Sequence, residues 1–199
     1  VYSAFTLWYR DEKHNRFPDP ATLNEAIDPS EIDPEYSGWI YHQFLIDCWM
    51  LTSTAMFRPE VFTNCGMFDE SLPYSEDWDL WLRISQKYPF IKLRRSTTLY
   101  RQHPHQGNRL ARGIDYRTRL LKTAVKKWGL CSRDGRCVSR HVFNKQLALY
   151  HASFALGHLR AGNRKLAVTA FLQSWLTNPL NIKSLAYIPA AFIGWKPGW

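Results

Sequence analysis

The sequence predicts an α/β fold that is followed by an α-helical region. Two runs rich in β-branched and aromatic residues are typical of strands: residues 1–9 predict one strand, and residues 90–101 predict one or two. Between them, residues 75–88 place their apolar side chains at helical spacing. Farther along the chain, helical patterns follow one another and no strand pattern recurs. We therefore expect two domains, residues 1–112 and residues 113–199.

The segment between the two predicted strands begins with a long loop. Residues 10–38 are polar and interrupted by four prolines, and loops of this length are usually functional or mobile. Residues 39–47 predict a short helix. Residues 48–58, CWMLTSTAMFR, predict a buried strand pair or a strand that enters a turn. The next helix is expected to start at Pro59 and to stop at Gly66.

Residues 75–88 form the clearest predicted helix of this half of the chain. Ser75 is suited to cap it, and the acidic residues of its first turn suit the positive end of the helix dipole. Pro89 ends the helix. Its apolar stripe comprises Leu80, Trp81, Ile84 and Tyr88.

The rest of the chain is predicted to be helical. Residues 116–130 predict a basic amphipathic helix, and residues 181–193 predict the last helix. Residues 143–161 and 164–177 predict a helical hairpin that turns at Gly162. The hairpin has the length and the Ala/Leu spacing of one tetratricopeptide-like unit, but it does not recur, so we expect no repeat array.

Charge is divided unevenly along the chain. Residues 1–100 carry 9 Lys+Arg and 15 Asp+Glu, whereas residues 101–199 carry 17 and 2. This asymmetry indicates a basic surface that meets an anionic partner, for which nucleic acid, acidic lipid headgroups and a phosphorylated substrate all qualify. A solvated basic tail explains the same numbers. No apolar run reaches the roughly 18 residues that a membrane-spanning helix needs.

The four cysteines are expected to be free thiols in a reducing compartment, because they are scattered and no signal-peptide pattern accompanies them. Cys131, Cys137 and His141 do not make a zinc site, since no Cys-x-x-Cys pair exists and a fourth ligand is missing. The other two cysteines are Cys48 and Cys65.

The acidic first turn of the helix predicted over residues 75–88 suggests a catalytic site. Residues three and four apart share a helix face, so Asp79 points toward Arg83 and an ordinary ion pair explains it. Asp77 lies instead on the apolar face, partly screened from water, where the helix dipole would keep it ionised. A poised carboxylate in a pocket is a candidate general base. The same position also suits a carboxylate that only accepts backbone amides of its own turn.

Several motifs follow one another along residues 57–106. In this order they resemble the acceptor-side half of the family 2 glycosyltransferases, which are inverting enzymes with the GT-A fold. Because VYSAF at the start resembles the strand after the nucleotide-binding half, the resemblance covers about residues 1–108. The motifs are Arg-Pro-Glu-Val-Phe from Arg58, Gly66 with Phe68-Asp69-Glu70, the Glu76-Asp77 pair, Leu80 to Arg83, and Tyr100-Arg101-x-His103.

The resemblance implies roles for the matched positions. Asp77 would be the general base that deprotonates the acceptor hydroxyl, and Glu76 would help to shape or bind the acceptor. Trp78 would line the acceptor pocket, because sugar rings pack their C–H faces on aromatic rings. Arg101 and His103 would lie over the diphosphate of the donor, with His103 as a metal ligand or a charge partner.

Other positions are weaker candidates. For Trp81 a place in the core is favoured over a place in the pocket, and His105 has less support than the motif histidine before it. Residues 77–79, Asp-Trp-Asp, match the metal-binding Asp-x-Asp motif of the family in letters only, because they lie on a helix start. The resemblance therefore implies that the family's upstream nucleotide-binding half is missing here, and we expect this chain alone to be inactive. The complete enzyme is expected to use Mg²⁺ or Mn²⁺.

The resemblance also implies partners and a location. They are a nucleotide-sugar donor and a saccharide or lipid-linked acceptor, in bacterial polysaccharide or glycolipid synthesis in the cytoplasm. The basic tail, with Trp128, suits an anionic membrane surface as well as packing on the catalytic half. The alternative function is a basic helical module that binds nucleic acid or protein without catalysis. We expect no nucleic acid, because the tail aromatics fall at core spacing: Tyr116, Trp128, Phe143 and Tyr150.

Overall fold

The chain forms a mixed structure of helices and strands. A computed structural model describes residues 1–11, 13, 16–23, 28, 30–103, 106 and 112–195. The chain divides into two units. The first comprises residues 1–106 with 131–136, and the second comprises residues 107–130 with 137–199.

The first unit holds a two-stranded parallel sheet. β1 spans Tyr2–Trp8 and β2 spans Lys92–Arg101, so both predicted strands are confirmed. The register places Trp8 opposite Arg101, and the carboxyl ends of the two strands therefore meet at one edge of the sheet. Parallel strands need a long crossover connection, which the intervening segment supplies.

Three α-helices lie in the described part of this crossover, where the sequence predicts them: α1 at Tyr41–Phe44, α2 at Pro59–Cys65 and α3 at Glu76–Ser85. The helix α2 begins at a proline, whose missing N–H needs no partner in a first turn. It ends before Gly66, whose φ of 77° is a conformation that side chains with a Cβ rarely adopt.

The strand or strand pair predicted over residues 48–58 is wrong. Thr52–Thr54 form a single 3-10 turn instead. Both the backbone N–H and the hydroxyl of Thr54 donate to the carbonyl of Leu51, at 3.0 and 2.7 Å. This local bonding uses the carbonyl that a strand would offer to its neighbour. Ala55 then makes one isolated bridge to β1.

An aromatic core anchors the elements of the first unit. Edge-on ring contacts join Tyr2 to Phe90 and Phe90 to Phe44. Phe57 also meets Phe90 edge-on and stacks on Trp81 of α3, with 5.2 Å between the ring centroids. Since burial of a large apolar side chain contributes roughly 1.5–3 kcal/mol, this cluster fixes the position of α3.

Four helices form the second unit, and each occurs where the sequence predicts a helix. α5 begins earlier than predicted because the Ser139 hydroxyl accepts the Val142 N–H at 3.2 Å and so caps the helix. No helix in the described part of the chain is both long enough and apolar enough to cross a membrane. The helices are α4 at Tyr116–Trp128, α5 at Arg140–Arg160, α6 at Arg164–Thr177 and α7 at Ile182–Ile193.

The helical hairpin predicted from the sequence consists of α5 and α6, which turn at Gly162 with a φ of 82°. Ser174 of α6 donates to the carbonyl of Ala148 of α5 at 2.7 Å. Phe171 of α6 stacks on Tyr187 of α7 with 5.3 Å between ring centroids. The buried residues of this core are Ala155, Leu159, Ala167, Ala170, Phe171 and Ala191.

The prediction of four free thiols is wrong for two cysteines. Cys131 and Cys137 are disulfide-bonded, whereas Cys48 and Cys65 are free. The chain reverses at Gly135, whose φ is 84°, and this reversal brings the two bonded cysteines together.

Candidate functional site

The first turn of α3 carries three carboxylates, and one of them has a structural role. Asp79 Oδ2 lies 2.8 Å from Arg83 Nε, which confirms the predicted ion pair. Arg83 also donates to the carbonyl of Cys65 and, at 2.8 Å, to that of Met67. Asp79 therefore orients an arginine that joins the end of α2 to α3.

Asp77 is placed differently from Asp79. It is half-buried, no Lys or Arg of the described residues pairs with it, and its Oδ1 accepts the Trp78 N–H at 2.7 Å. Burial raises the pKa of Asp77 above its ordinary value of 3.8. The Trp78 amide opposes this shift, and the nearby charge of Glu76 adds to it. Burial, rather than the helix dipole, therefore determines the direction of the shift.

This environment gives Asp77 the properties of a base. A carboxylate with a raised pKa holds a proton more strongly than a surface carboxylate does. The side chain is still partly open to solvent, so a hydroxyl group can reach it. Glu76 precedes it on the same turn and is exposed. The pair can therefore contact a polar substrate while Asp77 accepts the proton.

Ser75 enters this turn in a strained conformation. Its φ of 65° and ψ of 21° are left-handed, and it is the one non-glycine residue with a positive φ in the described ranges. The predicted cap is wrong, since the Ser75 side chain makes no capping hydrogen bond. Capping serines usually have extended backbones, which this one lacks. Left-handed backbone costs an L-residue roughly 1–2 kcal/mol, and such strain tends to cluster at functional sites.

Both tryptophans of α3 belong to the core. Trp81 is 1% exposed and contacts Phe57 and Phe68, which confirms the core position favoured for it. Trp78 is 4% exposed, and its indole N–H donates to the carbonyl of Phe44 at 2.8 Å. Trp78 therefore supports the first turn of α3 from beneath and offers little surface to an acceptor.

Arg101 and His103 lie at the carboxyl end of the sheet. The guanidinium carbon of Arg101 lies 5.2 Å from the ring centre of Trp8 and 5.1 Å from that of Phe17. These contacts orient an exposed arginine. His103 is the second residue after β2 and is exposed too. In parallel α/β sheets, ligands bind at the carboxyl ends of strands, so both residues lie where a ligand is expected.

The predicted site residues thus form two groups. Glu76 and Asp77 share one turn of α3, while Arg101 ends β2 and His103 lies two residues beyond it. Among the residues that the structure describes, no hydrogen bond or ion pair joins the two groups. His105 lies outside the described residues.

The described residues do not build a metal site. No group of three or more His, Cys, Asp or Glu side chains that could hold a metal ion occurs among them. His103 would supply a single ligand, so its role as a metal ligand stays a prediction. Asp77 and Asp79 do not act as an Asp-x-Asp pair, because Asp79 is engaged by Arg83.

The second unit contains a basic cleft that sequence reasoning missed. The cleft has a volume of about 410 Å³ and lies between α4, α5 and the end of α6. Two of its lysines stand four residues apart on α4, a spacing that is visible in the sequence. Their proximity to an arginine of α5 is a tertiary feature, so no local pattern could reveal it. The three cations are Lys122, Lys126 and Arg140.

Comparison of the chain with protein-family models, with curated proteins and with solved structures found no match. The functional argument therefore depends on the residues and their geometry.

Proposed function

We propose that the chain is the acceptor-side part of an inverting glycosyltransferase of family 2 with the GT-A fold. The single observation that carries the proposal is the Asp77 carboxylate at the start of α3. It is half-buried, its pKa is raised by burial, and no described cation neutralises it. The parallel sheet and the motif order of the sequence are the supporting features.

In this proposal Asp77 takes the proton of the acceptor hydroxyl. The freed oxygen forms a bond to the anomeric carbon of the donor sugar from the face opposite the diphosphate. The bond between that carbon and the diphosphate breaks, and its electron pair leaves with the diphosphate. The configuration at the carbon is inverted. Glu76, exposed beside the base, binds the acceptor, and Trp78 supports the turn on which both carboxylates stand.

The basic side chains at the carboxyl end of the sheet suit the leaving group. Arg101 and His103 would meet the diphosphate of a nucleotide-sugar, since positive side chains there stabilise the charge that develops on the leaving oxygen. The order of elements favours this arrangement. The end of α3 leads into the amino end of β2. The first turn of α3, which carries Glu76 and Asp77, is therefore expected toward the carboxyl end of the sheet. A divalent ion, Mg²⁺ or Mn²⁺, is expected in the complete enzyme to neutralise the diphosphate.

The substrates and the location belong to the same proposal. The donor class is a nucleotide-diphospho-sugar, and the acceptor class is a saccharide or lipid-linked saccharide of bacterial polysaccharide or glycolipid synthesis. A peripheral position at an anionic membrane suits the second unit. That unit has 14 Lys+Arg and one carboxylic residue, Asp115, in its sequence.

The same charge favours a second candidate, a basic module that binds nucleic acid or protein without catalysis. Proteins that hold single strands stack bases on exposed aromatic rings. In this unit Phe143 and Tyr150 are buried, at 3% and 8% exposed. Their burial removes two of the four aromatic residues of the tail that this candidate would use.

The test uses the complete protein and a panel of nucleotide-sugars, with release of nucleoside diphosphate in the presence of saccharide acceptors as the readout. We expect Asp77→Asn to lower kcat by about 10²–10⁴-fold, because the variant keeps the shape of the side chain and loses the base. Donor affinity, measured separately by titration, is expected to change little.

Asp79→Asn is the matched control, since it removes a carboxylate two residues along the same turn that is paired with Arg83. Its kcat is expected to stay close to that of the wild type. Full transfer activity in Asp77→Asn, or an equal loss in both variants, would contradict the proposal. Salt-sensitive binding of an oligonucleotide by a protein without transferase activity would favour the second candidate.

A further inference from the structure

The basic cleft of the second unit is built from three helices. α4 contributes Lys122, Val125 and Lys126 to its wall. The other lining residues come from α5 and from the last turn of α6. They are Arg140, Phe143, Asn144, Leu147 and Thr177. A volume of about 410 Å³ lies within the range of about 300–1,000 Å³ that is typical of small-molecule sites.

The cations of the cleft have no counter-ion within their own unit. Asp115 is the only Asp or Glu in the sequence of that unit. One of its carboxylate oxygens accepts the Thr118 N–H at 3.2 Å, and the other lies 3.1 Å from His151 Nδ1 without the alignment of a hydrogen bond. Lys126 and Arg140 therefore keep their positive charge open to a ligand, which must be anionic.

One of the three cations is held in place by a buried side chain. Lys122 Nζ lies 3.2 Å from His151 Nε2, and His151 is 2% exposed. An ammonium group can only donate, so Nε2 is the acceptor in this contact. A flexible lysine is thereby ordered before any ligand arrives, which lowers the entropy lost on binding.

The remaining surface of the cleft is apolar. Phe143 and Leu147 form its buried part, and Val125 is half-buried beside them. Where α6 ends at Thr177, the chain exposes large apolar side chains. Leu176, Leu180 and Ile182 are 68%, 78% and 71% exposed. Exposed apolar residues next to a charged site indicate a ligand or surface that is itself amphipathic.

We propose that this cleft binds the phosphate headgroup of an anionic amphiphile. The phosphate lies between Lys122, Lys126 and Arg140, where the arginine offers paired donors and the lysines act as point charges. The first apolar carbons of the ligand lie against Val125 and Phe143. The site belongs to the second unit and does not depend on the transferase function proposed for the first.

The experiment titrates the full chain at about 150 mM salt, where weak surface electrostatics are screened. The probes are dihexanoyl phosphatidic acid below its micellar concentration, dihexanoyl phosphatidylcholine, inorganic phosphate and a single-stranded oligonucleotide. Phosphatidic acid is expected to bind saturably and at least about tenfold more tightly than inorganic phosphate or the choline lipid. The double variant Lys126→Gln/Arg140→Gln is expected to lose that binding by about tenfold or more.

The matched control is Lys145→Gln/Lys183→Gln, which removes the same charge from exposed positions that do not line the cleft. Its affinity for phosphatidic acid is expected to stay within about twofold of the wild type. All four replaced residues are exposed, so circular dichroism should show unchanged folds.

Four results would overturn the proposal. The first is no saturable binding of phosphatidic acid, and the second is an equal loss in both double variants. The third is equal affinity for inorganic phosphate and the lipid, which would leave a plain phosphate site. The fourth is tighter binding of the oligonucleotide than of the lipid, which would identify a nucleic-acid surface.

Discussion

The two units use their carboxylates in opposite ways. The first unit is rich in acids, and several of them are paired, as Asp33 is with Lys92 at 3.1 Å and Asp79 with Arg83 at 2.8 Å. Asp77 is half-buried without such a partner in the described chain. The second unit has a single carboxylate, Asp115, which caps α4 and lies beside a buried histidine.

The comparison shows that charged side chains without a partner indicate a candidate binding site better than the total charge of a unit does. In the first unit Asp77 is paired with no Lys or Arg of the described residues, whereas Asp79, two residues farther along, is paired with Arg83. In the second unit Lys126 and Arg140 lack a carboxylate partner of their own unit, since its one acidic residue, Asp115, accepts the Thr118 N–H. The ligands that we propose answer these two cases: an acceptor hydroxyl gives its proton to Asp77, and an anionic headgroup meets Lys126 and Arg140.

The largest effect is expected from the aromatic residue that fixes the acidic turn. Trp81→Ala should lower the free energy of unfolding by about 3–5 kcal/mol, because it leaves a cavity where the ring stacked on Phe57. Chemical denaturation of the wild type and the variant measures the loss. A change below about 1 kcal/mol would mean that this core does not hold α3, and would break the link between the core and the placement of Asp77.

Trp81→Phe serves as the control for that prediction. The indole N–H of Trp81 is buried and has no hydrogen-bond partner. An unmet donor costs about 1–3 kcal/mol, so its removal offsets part of the volume lost with the smaller ring. We expect a smaller loss for Trp81→Phe than for Trp81→Ala in the same denaturation experiment.

A smaller effect is expected at the single carboxylate of the second unit. Asp115→Ala should cost about 1 kcal/mol, because the Thr118 N–H loses its capping acceptor. Asp115→Asn keeps an oxygen at that place and should cost less, since asparagine caps helices as well as aspartate does. Equal losses in the two variants would show that the charge next to His151, rather than the cap, stabilises this unit.

Much of the fold could be predicted because it depends on local chemistry. Pro59 and Gly66 mark the ends of α2, and the i,i+4 spacing of Asp79 and Arg83 gives their ion pair. Local hydrogen bonding also explains why the strand predicted over residues 48–58 is wrong. A hydroxyl in the segment at 48–58 bonds to the backbone and forms a turn, although the apolar run there resembles a strand.

The rest could not be predicted because it depends on contacts between distant residues. The letters around Ser75 indicate a cap, but the approach of the chain forces a left-handed backbone there. The sequence predicts that Asp77 lies on the apolar face of α3. How far the side chain is buried depends on how α3 packs in the first unit, which the sequence does not reveal. The basic cleft forms because Arg140 of α5 packs beside the lysines of α4, and these residues are distant in the sequence. The disulfide between Cys131 and Cys137 needs the reversal of the chain at residue 135.

The smallest effect is expected at Asp77 itself and depends on pH. Burial raises the folded-state pKa of Asp77 above 3.8, so ionising this group opposes folding as pH rises from 3.8 through the raised pKa. Asp77→Asn removes this penalty and keeps an acceptor for the Trp78 N–H. The variant should therefore be more stable than the wild type at pH 7, and the gain should disappear as pH falls below 3.8.

Asp69→Asn is a control of opposite sign, because hydrogen bonds from Ser71 lower the pKa of Asp69 and stabilise its charged form. That variant should be less stable at pH 7 and match the wild type in acid. Thermal melts of the three proteins between pH 3 and pH 8 measure both differences, and a loss of stability in Asp77→Asn at neutral pH would show that its carboxylate is structural rather than poised as a base.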